Sequence, residues 1–407
     1  MERSCQGLLI MKVLLIHNFY QTSSPSGEDM VFRNEVELLK KNGIDVITYE
    51  KNNDDIATAA DKFRTAFATL WSRQTYKELG TLLKREKPDI AHFHNIWYLI
   101  SPSAYYACKD AGVYVVQTLH NFRFFCINGL FMRKGRVCEE CIGRAPWKGV
   151  TYGCYRNSAL YSFPLGFTDA VHQVFGTWRN KVDAFIAMTE FGKKKFTECG
   201  LPAEKMHVKP NFLREPSEPH YSHDGYAIYL GRISAEKGPG ILINAVNIMR
   251  LRLMNRLHVK IVGDGPLKND LEDMLKAGGI RDIEFTGRKP YQECMRLLQD
   301  TRFLILPSLC YENFPVVIIE AYASGKPVIA SRVGAMAELV EEGKTGLLFE
   351  PGNPEDLADK MQGMVENEDA CIEMGKNARK VFEEKYTAEN NYEILMKIYN
   401  KLLAHSS

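Results

Sequence analysis

At 407 residues the chain is long for a single domain and comfortable for two, each burying its own core. Hydrophobic residues at 45% and charged residues at 25% exclude a disordered chain, and a net charge of +2 argues against a general nucleic-acid binder. No apolar run is long enough to span a bilayer.

Met1 to Ile10 carry one Arg, a short apolar stretch and no small-residue cleavage site, unlike a signal peptide. Met11 opens a cleaner strand, so residues 1–10 read as an extension upstream of the start. The run Met11-Lys12-Val13-Leu14-Leu15-Ile16 predicts a buried parallel strand, followed by a loop with Ser24-Pro25-Ser26-Gly27. Val31, Val36, Leu38 and Leu39 give Asp29 to Lys41 helical spacing, closed by Asn42-Gly43. Strands are expected at Ile44–Tyr49, Ile90–His94, Val113–Leu119 and Ala184–Ala187, alternating with helical stretches. Arg214 to His220, with two prolines and three charges, breaks the rhythm as a linker. It then restarts with strands at Tyr226–Leu230, Val259–Val262, Ile283–Thr286, Phe303–Leu306 and Val328–Ala330. The reading is α/β: two Rossmann-like doubly wound domains facing each other across a cleft. Their bounds are 11–212, with a Cys-rich insertion at about 122–158, and 221–384. A helical tail over 385–407 is free to pack back on the first domain.

Charge is uneven between these halves. Residues 11–210 hold 27 Lys and Arg against 20 Asp and Glu, a net of +7, whereas residues 211–407 hold 24 against 29, a net of −5. A basic first half suits an anionic surface or a phosphate-bearing acceptor, and a solvated face of uneven charge accounts for it equally.

Open parallel sheets bind ligands at the carboxyl ends of their strands, so polar residues just past strands are the candidates. Gly231-Arg232-Ile233-Ser234-Ala235-Glu236-Lys237 follows one strand and sets two cations, Arg232 and Lys237, where a departing diphosphate would need them. Glu312-Asn313-Phe314-Pro315-Val316 follows another and leads to Glu320 inside an apolar stretch, where a buried carboxylate wants a ligand. A helix starting near Pro315 would present the amides around Phe314–Val317 to an anion. Gly263-Asp264-Gly265-Pro266 is a tight strand-to-helix turn that could approach a base. In the first domain His94-Asn95 and His120-Asn121 end two strands, and Gly27 lies in the loop after the strand carrying His17.

Together these residues resemble the retaining glycosyltransferases of family four, with the GT-B fold, over nearly the whole chain from Met11. The most specific element is E-x7-E, Glu312 to Glu320, followed by Ala321-Tyr322-Ala323-Ser324-Gly325-Lys326-Pro327. Gly334 to Glu338, Gly343 to Leu348, and Gly231-Arg232 with Lys237 match as well. The resemblance implies that Arg232 and Lys237 neutralise the diphosphate of a nucleotide-sugar donor, that Glu320 binds the donor ribose, and that Glu312 contacts the transferred sugar. It places the Asn313–Val316 amides nearby, His120 at the anomeric centre, and Gly27 in a loop closing over donor and acceptor. It implies retention of configuration, with no cofactor for catalysis. Ser26-Gly27 stands where members often have two adjacent glycines. The expected acceptor is a glycan or lipid-linked molecule in cell-surface polysaccharide synthesis, with no nucleic acid involved. A sugar-nucleotide epimerase and a non-catalytic sugar-nucleotide-binding subunit are the competing readings.

Cys126, Cys138, Cys141 and Cys154 form C-x11-C-x2-C-x12-C in the insertion after His120-Asn121, a spacing that fits a structural Zn site. Free thiols or paired disulfides are the alternatives. The other six of the ten cysteines are scattered, as in a reducing cytoplasm. Tyr161, Phe163, Phe167 and Phe175, with Lys193-Lys194-Lys195, read either as a surface for an anionic membrane, at its inner face, or as core packing beside a solvated basic face.

Overall fold

A computed structural model describes residues 11–22, 26–252 and 256–404, so that residues 1–10 and Ser24-Pro25 of the first loop lie outside the described residues. Fourteen strands run in chain order as β1 Lys12–Phe19, β2 Asp45–Asn52, β3 Ile90–Phe93, β4 Tyr114–Thr118, β5 Met132–Arg133, β6 Arg136–Val137, β7 Ala184–Ala187, β8 Met206–Val208, β9 Tyr226–Leu230, β10 His258–Val262, β11 Ile283–Gly287, β12 Leu304–Leu306, β13 Val328–Ser331 and β14 Gly346–Phe349. Twelve of them build two six-stranded parallel sheets, ordered β2-β1-β3-β4-β7-β8 and β11-β10-β9-β12-β13-β14; β5 and β6 pair as a small hairpin. The two sheets and their covering helices are the two doubly wound domains of a GT-B architecture. In β1, Val13, Leu14, Leu15 and Ile16 are wholly buried, because helices cover both faces of the sheet.

The first helix, Gly27–Lys41, starts two residues before the Asp29 expected from periodicity. Ser26 is its N-cap, and the Asp29 carboxylate returns to the Ser26 amide at 3.0 Å in a capping box. The linker is extended chain clasped to the second domain: Ser324 O accepts from His220 N at 3.0 Å, and Arg379 Nη1 and Lys326 Nζ donate to Ser217 O and Ser222 O at 2.8 and 2.7 Å. After the helix Glu368–Lys385 the chain crosses back. Its final helix, Ala388–Ala404, lays Leu395, Ile398 and Tyr399 against Val13, Leu15, Val116 and Ala184 of the first sheet. Its Tyr399 hydroxyl meets His92 Nδ1 at 2.7 Å, and its Asn391 Oδ1 accepts from Lys209 Nζ at 3.1 Å.

In each sheet the strand order reverses once, between β1 and β3 and between β9 and β12. At such a switch the flanking loops diverge and leave a crevice beyond the strand ends.

Candidate active site

The crevice of the second domain is built by the turn after β9 and the loop after β12. The turn after β10, which packs on the β9 turn, needs glycine for reasons of packing. Gly263 has φ of +145°, and a Cβ there would lie 1.9 Å from Gly231 O, while one at Gly265 would lie 2.3 Å from Ile233 O. The two turns therefore interlock through bare backbone at Gly263 and Gly265. Ile233 N donates to Asp264 O at 2.9 Å across that contact.

This interlock fixes Arg232 and Lys237. Arg232 is exposed, and the Tyr229 hydroxyl grips its carbonyl at 2.6 Å. Lys237 closes a short 3-10 turn and donates to Glu312 Oε1 at 2.5 Å; Ser308 Oγ donates to the same oxygen at 2.9 Å. Burial pulls the Lys237 ammonium down, but the Glu312 carboxylate beside it outweighs burial and the net shift is upward. The β9 and β12 loops are thus locked at their switch point by one ion pair, with the free guanidinium of Arg232 on its outer side.

Pro315 is the N-cap rather than part of the first turn, and the helix is Val316–Ala323. Its leading amides have no intrahelical acceptor. Glu320 lies one turn in and buried, and burial raises its carboxyl to about 7, with the Tyr291 hydroxyl hydrogen-bonded to it and pulling the other way. Phe314 turns inward, its ring 5.9 Å from that of Tyr386 in the core of the second domain. Asn313 reaches the other domain and donates from Nδ2 to Leu119 O at 2.5 Å.

His120 follows Leu119 beyond β4. Its Nε2 lies 2.9 Å from His94 Nδ1, and His94 Nε2 lies 3.1 Å from Glu35, which in turn accepts from Lys209 Nζ at 2.8 Å. Burial dominates this chain, holding His94 at about 4 and His120 well below its ordinary value, so both rings are neutral near pH 7. Gly27 opens the first helix, with open space where a Cβ would be. Beside it Glu28 accepts from Asn121 Nδ2 at 2.8 Å, its second oxygen buried without a partner among the described residues. Arg123 stacks near Tyr98 and Tyr155 and hydrogen-bonds the Tyr98 hydroxyl, while its Nε is buried and unpaired. Glu28, Asn121 and Arg123 form an unspent polar cluster beside His120. Sequence reasoning passed over Arg123, although its position three residues beyond a strand-end histidine was the available signal.

Further residues tie the domains together. Glu338 accepts from the amides of Glu190 and Phe191 at 2.9 and 2.6 Å, capping the helix Glu190–Glu198 of the opposite domain. The Tyr311 hydroxyl donates to Glu139 Oε1 at 2.8 Å. Lys195 pairs with Glu139 and Glu198, both at 2.7 Å, so of the Lys193-Lys194-Lys195 run this cation is consumed internally and does not face a membrane.

The model of the family described as Glycosyltransferase Family 4 matches residues 27–214, and that of Glycosyl transferases group 1 matches residues 214–381. The chain is 30% identical over 238 residues to alpha-D-kanosaminyltransferase of Streptomyces kanamyceticus, covering 54% of this chain and 61% of that one. An uncharacterized glycosyltransferase of Methanocaldococcus jannaschii is 33% identical over 177 residues, covering 44% and 48%. Against these curated relatives the chain thus spans about half to three fifths of their length. A second uncharacterized glycosyltransferase of that organism is 23% identical over 410 residues, covering 96% and 98%. Among solved structures, sucrose-phosphate synthase of Thermosynechococcus elongatus superposes with a TM-score of 0.70 at 16% identity, covering 97% of this chain and 100% of that one. Alr3699/HepE of Anabaena in complex with UDP gives 0.65 at 18%, with coverages of 97% and 100%.

Proposed function

Because the chain belongs to glycosyltransferase family 4, we propose that it transfers a sugar from a nucleoside-diphosphate sugar to a glycan or lipid-linked acceptor, with retention at the anomeric carbon. The observation that carries this reading is the Lys237–Glu312 pair at the β9/β12 switch point, flanked by exposed Arg232 and by buried Glu320. A nucleoside diphosphate places its phosphates against the two cations and the amides leading Val316–Ala323, its ribose diol against Glu320, and its sugar toward Glu312. As the bond between the anomeric carbon and the diphosphate oxygen breaks, Arg232 and Lys237 take up the charge on the leaving oxygen. The acceptor oxygen bonds to the same face and passes its proton to the departing diphosphate oxygen. His120, held neutral by burial, lies across the cleft as a hydrogen-bonding group for the sugar. The UDP bound to Alr3699/HepE supports a nucleotide as ligand.

We further place the acceptor at a membrane surface, at the cytoplasmic face, in cell-surface polysaccharide synthesis. Supporting it is the helix Ala159–Val174, whose Leu160, Tyr161 and Val174 are 79%, 56% and 85% exposed, with Phe175 beyond it at 70%. Trp147, Phe163 and Phe167 continue the patch as a chain of ring contacts, and Arg156 lies over the Tyr161 ring.

A panel of nucleotide sugars screened for thermal stabilisation, followed by transfer assays with the best donor and NMR of the anomeric proton, tests the reading. Donor stabilisation lost in Arg232→Ala, with a product of the donor's own configuration, is expected. Donor conversion to an epimer without acceptor would overturn it.

A further inference from the structure

Residues 122–158 fold with little regular structure. Between the strand-end histidine and the helix Ala159–Val174 there are only the two-residue strands β5 and β6 and the five-residue helix Trp147–Thr151. Phe131 and Lys134 are in left-handed conformation, at φ of 46° and 51°, which places bulky side chains where backbone strain is real. Such a segment needs a cross-link to hold one shape.

Cys126, Cys138, Cys141 and Cys154, far apart along the insertion, line one partly open cavity of about 20 Å³, and none is in a disulfide. The volume admits a single atom-sized guest. Burial raises the Cys126, Cys141 and Cys154 thiols, and the Cys126 thiol donates to Asn128 Oδ1 at 3.0 Å, while polar groups around the sulfurs act the other way. The amides of Phe131, Asn128 and Gly129 are directed at the Cys126 sulfur, and that of Gly149 at Cys141. The Arg133 guanidinium lies against Cys138, and its buried Nε lacks an acceptor that a thiolate there supplies. Backbone N–H groups and a cation around four sulfurs compensate the negative charge that a four-thiolate centre carries.

No three of the four sulfurs lie within 4.8 Å of one another, so they must draw together to share an ion; among the described residues three ligand atoms come that close at Glu35, His92 and His94. There Lys209 already neutralises the carboxylate at 2.8 Å and the Tyr399 hydroxyl takes up His92 Nδ1, so no ion is called for.

We propose that Cys126, Cys138, Cys141 and Cys154 hold one Zn²⁺ in a closed tetrahedral site, which contracts the cavity onto the ion and fixes the insertion. The consequence reaches the cleft. Glu139, next to a ligand, accepts from Tyr311 and pairs with Lys195, so the metal sets the position of a carboxylate that grips the loop carrying Glu312. The site rests on its own geometry and stands apart from the transfer reaction.

The test is elemental analysis of the full chain purified under reducing conditions, with Co²⁺ titration of chelator-treated protein. About one Zn per chain is expected, together with the intense visible bands of tetrahedral Co²⁺–thiolate. Cys141→Ser should lower zinc content severalfold, while Cys108→Ser, a core cysteine outside the cavity, should leave it unchanged. Less than about a tenth of an equivalent of zinc, with no such bands, would overturn the proposal. So would a mass increase on reduction that reports disulfides among the four.

Discussion

Asn313 donates its side-chain amide to the carbonyl of Leu119, 194 positions away and in the opposite domain. The bond joins the residue after Glu312 to the residue before His120. It therefore sets the spacing between the donor-side carboxylate and the imidazole across the cleft. Its other atom, Oδ1, is buried without a partner and would touch a side chain added at Gly192.

Asn313→Ala leaves the Leu119 carbonyl without its donor, a cost of about 1–3 kcal/mol. We expect kcat/KM for transfer to fall about 10- to 100-fold with the donor Kd changed far less. Gly192→Ala should act in the same direction by crowding Oδ1. Equal losses in donor binding and transfer would show that Asn313 serves the donor directly.

Lys237 is the counter-charge of Glu312 as well as a candidate for the diphosphate. Lys237→Ala should lower kcat about 10²- to 10³-fold and also lower the melting temperature, since Glu312 is left without its partner. The double change Lys237→Ala with Glu312→Gln should recover the melting temperature and not the activity. Recovery of both would remove Lys237 from the reaction.

Burial holds the Glu320 carboxyl at about 7, against about 4.3 for an unfolded glutamate. Between those values the folded chain keeps a proton that the unfolded chain releases, so this residue's contribution to stability falls as pH rises through the window. Glu320→Gln should accordingly stabilise the unliganded protein at pH 8 by about 1–3 kcal/mol, read from urea midpoints. The same variant should weaken donor binding about 10- to 100-fold and abolish the tightening of donor binding expected of the wild type between pH 6 and 8. A midpoint unchanged at pH 8 would contradict the assignment.

His94 follows the opposite sign. Burial lowers it to about 4, with Glu35 opposing, so its contribution is intact above about 6.5 and lost as pH falls toward 4. Stability at pH 5 should be lower than at pH 7 by about 2 kcal/mol from this group, with the pH slope reduced in His94→Gln. A slope identical in the variant would locate the acid sensitivity elsewhere.

The exposed helix Ala159–Val174 predicts vesicle binding. Wild type should co-sediment with vesicles containing anionic lipid, less so at high salt, and Leu160→Ser with Phe175→Ser should release it without altering transfer to a soluble acceptor. Co-sedimentation unchanged in the double variant would dismiss this surface.

The alternating architecture was legible because buried parallel strands are unbroken apolar runs, as in β1 and β12, and polar residues just past them stand out. Arg232, Lys237, Glu312 and Glu320 were visible for that reason. What could not be read were partners chosen by tertiary packing. Nothing near Asn313 in sequence points to Leu119, and nothing near Lys195 points to Glu139. The sequence offered Gly263 and Gly265 as ligand-facing glycines and gave no sign of the neighbouring turn they pack against, because a tight turn against a phosphate and one against another turn have the same composition. Periodicity missed the start of Gly27–Lys41 because a cap precedes the apolar pattern it begins. The aromatic helix Ala159–Val174 left core and surface undecided, since it is apolar on more than one face and only its neighbours determine which face is covered.

The return of Ala388–Ala404 to the first sheet has a consequence for biosynthesis. The first lobe leaves the ribosome before the second, yet the apolar ground under Val13, Leu15 and Val116 is roofed by a segment translated after both. Until that helix is released, the nascent lobe carries a sticky, half-dressed flank, and the intervening lobe must fold while tethered to it. Completion of the first lobe therefore waits on a segment made after the second, and that flank stays open to association in the meantime.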